Sequence, residues 1–409
     1  MIPGSGGEAQ YLAQGLGPLM AFLFNWTSIL ILKPGTVAIL ANATSSYLLG
    51  MILHLFSIGS SLSVAQKDWI IKGGAIVVCI VVTLASSLST KWSTRIQSVL
   101  TFGKIGALTL IIFSGVYYAI FVNSAVVKDN LESPFAGTRF EFGDFASALT
   151  SGLWAFEGWN NLNIVAGDLA NPKVNLPLSI WISMVAVVVL YIMTLLGYYA
   201  VLPMADIADS ATTQTLGLIF GQVIFGKVGN VIMPFLIASS TFGSALSSMV
   251  TSSEIIVLAA QTGQLPKYYA KISTSLGTAA RAYWMQGLLA TVLVLLSGFK
   301  TLIMVYTFPT WIFYSACVIV LLKFRRTAPE LERPYRVWIT TPFLFLFASL
   351  FLQVSSLWAE PIPVTASLGT VLLGIPIFYL FRLHKRHALL PQELPVEMKE
   401  KPPVSPVEK

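Results

Sequence analysis

Trp154-Ala155-Phe156-Glu157-Gly158-Trp159-Asn160-Asn161 places an acid, a glycine and two amides in the middle of an otherwise apolar run. If that run lies in lipid, each polar group there is costly unless it faces a partner or a cavity. A break in a membrane helix is tolerated only where the freed backbone groups are satisfied or line a hollow. Broken helices of this kind supply half-helix termini to substrates in secondary transporters. The competing reading is that Glu157 is a structural partner for a basic group and that Gly158 only kinks the helix; the binding-site reading is the stronger of the two.

Whether the run lies in lipid is decided by the rest of the chain. Its 409 residues are 55% hydrophobic and only 11% charged, with a mean hydropathy of +0.76. An ordinary soluble domain carries about 25% charged residues. Working outward from residue 157, ten apolar runs qualify as spans: 19–52, 69–88, 96–122, 145–166, 178–202, 228–260, 283–299, 302–322, 339–358 and 362–381. The first is long enough for two crossings, but a tight turn at Lys33-Pro34-Gly35 would put too little polar chain at the interface, so one kinked helix is expected.

The formal charge of +7 is dispersed between the runs, which is membrane topology and excludes a nucleic-acid patch. Fifteen Lys and Arg residues fall in the loops of one parity together with the segment after the last span, and six fall in the alternate loops. By the positive-inside rule the C-terminus is cytoplasmic. The segment from 387 to 409 is rich in Pro, Glu and Lys and is expected to be a disordered cytoplasmic tail on a transmembrane domain of residues 1–386. Cys79 and Cys317 lie inside apolar runs and indicate neither a disulfide framework nor a metal site. The three histidines have no ligand spacing, and no phosphate-binding glycine loop or nucleophile elbow occurs. No metal, cofactor or enzymatic activity is expected.

Other residues stand out by position. Ser239, Gly243, Ser247 and Thr251 recur every four residues, as do Ser240, Ser244, Ser248 and Ser252. They form a small-hydroxyl face that either permits close helix packing or wets a pathway, and Glu254 ends it. Lys104 is either a snorkelling interfacial residue or a fixed ammonium bridging broken helices. Lys33, near the middle of the first run, marks a kink facing the protein interior.

Taken in order, a set of motifs resembles the L-type amino acid transporter family of the amino acid–polyamine–organocation superfamily. The set begins with Ile2-Pro3-Gly4-Ser5-Gly6-Gly7-Glu8 and Gly17-Pro18-Leu19, then Arg95-Ile96-Gln97 with Lys104, and Ser151-Gly152-Leu153 running into the Trp154–Asn160 stretch. It continues through Asn171-Pro172 with Asn175-Leu176-Pro177-Leu178, Phe242-Gly243, Gly263 with Leu265-Pro266, and Pro329-Glu330-Leu331-Glu332-Arg333-Pro334. The resemblance covers nearly the whole chain. It implies an all-α polytopic membrane protein with the LeuT-like inverted-repeat transporter fold: twelve helices, two inverted five-helix repeats, and substrate between broken helices one and six. The ten runs would be the family's helices three to twelve, leaving the fold incomplete at the N-terminus, without the first helix and its glycine-rich break.

The resemblance also implies roles. Trp154 matches the aromatic gate of the broken sixth helix, and Ala155, Phe156, Glu157, Gly158 and Asn160 would line the side-chain pocket. An acid at Glu157 leans toward neutral and cationic amino acids, because a carboxylate stabilises an ammonium or guanidinium by a charge-assisted bond. Phe308, Pro309 and Thr310 would form the pocket wall on the tenth helix, with Phe308 and Thr310 as substrate contacts. Lys104, Ser247 and Glu254 would be gating or structural residues, and Lys104 matches the lysine standing in for a sodium ion in related carriers. The chain departs from the family where Glu254 replaces an arginine and Gln261-Thr262-Gly263 replaces Arg-Glu-Gly. Residues 53–68 lack the cysteine that links animal members to a heavy subunit, so no disulfide-linked partner is expected.

The implied function is sodium-independent amino acid transport across the plasma membrane by alternating access, with the amino acid and the lipid bilayer as partners. The alternative is a truncated, non-transporting or sensor membrane protein derived from such a permease.

Overall fold

The computed structural model describes residues 7–56, 63–122, 124–132, 138, 141–164, 166, 169–213, 216–274, 276–330, 333 and 335–384. The disordered tail expected at 387–409 lies outside them. All regular structure among the described residues is helical.

The chain enters through a short helix, α1 (Gly7–Leu16), and continues into α2 (Pro18–Thr27), a five-residue π turn (Ser28–Leu32) and α3 (Lys33–Leu55). From Pro18 to Leu55 the helix is continuous, so the first apolar run is one kinked helix, as expected from the lack of polar chain around Lys33-Pro34-Gly35. The π turn explains how Pro34 is accommodated. A proline ring clashes with the carbonyl four residues back, and at the π turn the Lys33 N–H bonds the Ser28 carbonyl, five residues back.

Next come α4 (Val64–Leu88), opened by a capping box of Ser63 and Gln66, and α5 (Thr90–Phe121), whose N-cap Ser89 accepts from the Trp92 N–H. The short α6 (Ser124–Glu132) precedes α7 (Phe142–Ala155), which stops inside the bundle. Residues 156–160 form a turn, and one helical turn, α8 (Asn161–Ile164), follows. The expected span at 145–166 is therefore a broken helix. Then follow α9 (Pro172–Val201), α10 (Met204–Thr213), α11 (Leu216–Phe225) and α12 (Gly229–Gln261). The last four are α13 (Ala280–Leu296), α14 (Phe299–Thr327), α15 (Thr340–Ala359) and α16 (Pro361–His384).

Eight of these helical stretches are long and apolar enough to cross a membrane. The other two runs read from the sequence are the broken α7–α8 and the 17-residue α13. The sequence reading missed α1, α6, α10 and α11, each of ten residues or fewer, too short to give a span signal.

The core sits on α3. Val37, Ala38, Ile39 and Ala41 are fully buried, facing Met249 and Ala245 of α12, Val82 of α4 and Ala290 of α13. At the periphery the apolar side chains point outward: Leu178, Trp181, Ile182, Val185, Val189 and Leu195 of α9 are all more than half exposed. Contiguous exposed apolar surface of this size is what a bilayer covers. Helices α5 and α9 meet through Gly115 and Gly197, where a Cβ on Gly115 would overlap the Cα of Gly197. Backbone approach of that kind is how membrane helices associate without a hydrophobic drive between them.

Candidate functional site

The break between α7 and α8 follows from its residues. Gly158 has φ +116, a conformation side chains rarely adopt, so the chain reverses direction there at a cost only glycine avoids. The N–H groups of Phe156 and Glu157 bond the carbonyls of Leu153 and Trp154 at 3.1 Å each, closing α7 with tight turns. The Ala155 carbonyl accepts from the Tyr191 hydroxyl of α9 at 3.3 Å. On the far side, Asn161 and Asn163 N–H groups bond Gly158 and Asn160 carbonyls at 3.1 and 2.9 Å.

This break opens onto a cavity of about 530 Å³, within the usual range for a small-molecule site. Its walls come from α1, the π turn, α3, α5, α9, α12 and α14 as well as the break. Three charged side chains gather on one part of the wall. Glu157 accepts a hydrogen bond from the Tyr314 hydroxyl, and Tyr306 also lies within reach of its carboxylate. Lys33 Nζ donates to Asn161 Oδ1 at 3.1 Å. Asn160 Nδ2 donates to Glu8 Oε1 at 2.8 Å. The two adjacent amides of the break thus hold a lysine and a second acid beside Glu157.

A different wall carries the hydroxyl face. Lys104 lies fifteen residues into α5 rather than at the start of a span, and its Nζ donates to Ser244 Oγ of α12 at 2.8 Å. Ser240, Thr241, Ser244, Ser247 and Ser248 face the cavity there, and Thr241 also bonds Thr44 of α3 at 2.7 Å. Ser252, in register with them, is buried and bonds back to the Ser248 carbonyl.

Of the residues singled out in the sequence, the cavity gathers Trp154, Ala155, Glu157, Gly158, Asn160, Thr310, Lys104 and Ser247. Phe156 instead packs against Tyr191, the rings tilted by 57° with centroids 5.1 Å apart. Phe308 is buried in helix packing, 7% exposed, and Glu254 is exposed on the last turns of α12. Trp154 packs edge-on against Phe299 at 6.4 Å.

Several lining residues were not read from the sequence. Tyr306 and Tyr314 stand four residues either side of Thr310, which the sequence did single out, and with it put three hydroxyls on one face; that spacing was the available signal. Ser28 belongs to the π turn and has a buried hydroxyl without a hydrogen-bond partner among the described residues. Glu8, 5% exposed, gave no signal in a segment that reads as polar loop.

Residues 1–380 match the model of the family described as amino acid permease. The chain is similar to the b(0,+)-type amino acid transporter 1 of Mus musculus, 30% identical over 386 residues that cover 94% of this chain and 76% of the relative. It is also similar to the large neutral amino acids transporter small subunit 2 of Oryctolagus cuniculus, 31% identical over 388 residues, covering 93% of this chain and 68% of that one. The human b(0,+)-type amino acid transporter 1 is 29% identical over 386 residues.

Proposed function

The chain belongs to the amino acid permease family and is an integral-membrane amino acid transporter, not an enzyme, and from that premise we propose that its substrate sits in the cavity at the α7–α8 break. Family membership favours transport over a non-transporting or sensor role. The observation that carries the site is the convergence, on one cavity, of a helix broken at Gly158 with Glu157, Asn160 and Lys33 beside it.

The site residues take these roles: Trp154 gates, Ala155, Glu157, Gly158 and Asn160 border the substrate side chain, and Thr310 of α14 forms the facing wall. Phe156 and Phe308 act through packing, holding the break and α14 in place. Lys104 and Ser247 shape the α5–α12 wall, and Glu254 acts at the end of α12. Freed peptide groups at the break suit the carboxylate and ammonium of a zwitterion. Glu157 extends the range from large neutral amino acids to cationic ones by offering a charge-assisted bond. Transport is by alternating access and independent of sodium, because the Lys104 ammonium on Ser244 already supplies a fixed positive charge between α5 and α12.

The protein works in the plasma membrane; its C-terminus lies in the cytoplasm, which the fifteen basic residues in loops of that parity and after the last span support. No disulfide-linked subunit is part of this reading, because residues 53–68 carry no cysteine.

Uptake of labelled leucine by proteoliposomes, in sodium and in choline buffer, with arginine as competitor, tests this reading. We expect equal uptake in both buffers and competition by arginine. Uptake that needs sodium, or none of either amino acid, contradicts it.

A further inference from the structure

Lys33 is the least expected residue on the cavity wall. An ammonium in the middle of a span is expensive unless matched, and here it is held by the π turn rather than by the broken helix. Its Nζ bonds a neutral amide, Asn161 Oδ1, at 3.1 Å. Glu8, Glu157 and, least of the three, Glu254 act on it electrostatically. Glu8 is itself anchored by Asn160, and Glu157 by Tyr314. The wall therefore carries two carboxylates and a lysine within electrostatic range of both, with Asn160 holding Glu8, Asn161 holding Lys33 and Tyr314 holding Glu157. The remaining cavity cation, Lys104, is committed to Ser244 on the α5–α12 wall.

We infer that Lys33 is the selectivity determinant of this site: a tethered ammonium competing, for Glu157 and Glu8, with the charged end of a cationic amino acid. With a neutral amino acid bound, Lys33 stays on Asn161 within electrostatic range of both acids, and neither carboxylate is left without a counter-charge. A lysine or arginine substrate brings its own cation to Glu157 and must do so against the field of the nearby Lys33 ammonium. The ratio of cationic to neutral transport then depends on how strongly Lys33 holds its place. The π turn matters because it sets the rotation of α3, aiming Lys33 at the break.

The inference rests on the cavity being the substrate site, and the test separates the two. Full-length wild type, Lys33→Gln, Lys33→Arg, Glu157→Gln and the double variant Lys33→Gln/Glu157→Gln are reconstituted, and uptake of labelled arginine and leucine is compared at equal concentration. Removing the competitor is expected to raise the arginine-to-leucine ratio in Lys33→Gln about ten-fold, the size of one charge-assisted contact. Lys33→Arg should keep the wild-type ratio within about two-fold, and Glu157→Gln should lower it. An unchanged ratio in Lys33→Gln, with arginine still lost in Glu157→Gln, overturns the role of Lys33 and leaves the site standing. Unchanged ratios in both variants overturn the site and the inference together. Should Lys33→Gln not fold, the double variant decides: recovered leucine uptake supports the competing-charge account, because the isolated buried charge is gone, and a double variant as damaged as the single one overturns it.

Discussion

Among the described residues, two helix interruptions border the cavity, and they solve the same problem differently. At Ser28–Leu32 the helix widens into a π turn and continues, so the chain from Pro18 to Leu55 remains one rod. At residues 156–160 the helix ends, turns through Gly158 at φ +116, and resumes for four residues. The first interruption accommodates a proline, whose missing N–H leaves one carbonyl to re-pair, and a five-residue offset is enough. The second carries an acid and two amides that bond partners on other helices, and no helical register could aim all of them into one cavity. A proline shifts a helix; a glycine flanked by polar side chains opens one. The opened helix brings its turn and its polar side chains to the cavity, while the shifted helix contributes side chains, Ser28 and Lys33, to the same hollow.

The comparison can be broken at several points. Gly158→Leu should have the largest effect: the positive φ costs a side chain roughly 1–2 kcal/mol, and the added bulk enters the cavity rim. We expect a loss of leucine uptake by roughly a hundred-fold at normal expression, measured in proteoliposomes; uptake near wild type would show that the break does not shape the site. Glu157→Gln should weaken inhibition of leucine uptake by arginine about ten-fold while leucine uptake itself persists, read from competition curves. Tyr314→Phe removes the hydroxyl donor to Glu157, a net contribution of about 1 kcal/mol, and should change arginine competition by roughly five-fold. Pro34→Ala lies at the interruption that is only a register shift, and uptake should stay within about two-fold of wild type. Gly152→Ala is the smallest expected change. It lies on α7 with nothing near its added Cβ, so uptake should be unaltered and thermal stability equal or slightly higher.

Much of the fold was legible in the sequence because lipid imposes a simple rule. A span must be apolar over about 20 residues, and composition alone reveals that. The spans at 69–88, 96–122, 178–202 and 339–358 correspond to α4, α5, α9 and α15 for that reason. Helix α1 was not legible, since Glu8, Gln10 and Gln14 give it the composition of a loop, and only its packing buries Glu8 and Leu12. At the site, Glu157 and Gly158 were legible because they violate the rule that the surrounding residues obey. Tyr306 and Tyr314 do not violate it. A tyrosine in an apolar helix looks like core until the rotation of the helix is known, and that rotation is fixed by neighbours far away in sequence. Lys33 was read as a kink residue facing the interior, but its partner Asn161 was not legible, because a π turn changes which way a helix faces without leaving a mark in the residues that form it.

The most direct test of the central claim, that the α7–α8 break holds the substrate, is a cryo-electron microscopy map of the reconstituted protein with saturating leucine or arginine. The account predicts density for the amino acid in the 530 Å³ cavity, its α-carbon group against the peptides of residues 155–160, and an arginine side chain directed at Glu157. Density bound elsewhere, with the 156–160 turn closed into continuous helix, would contradict it.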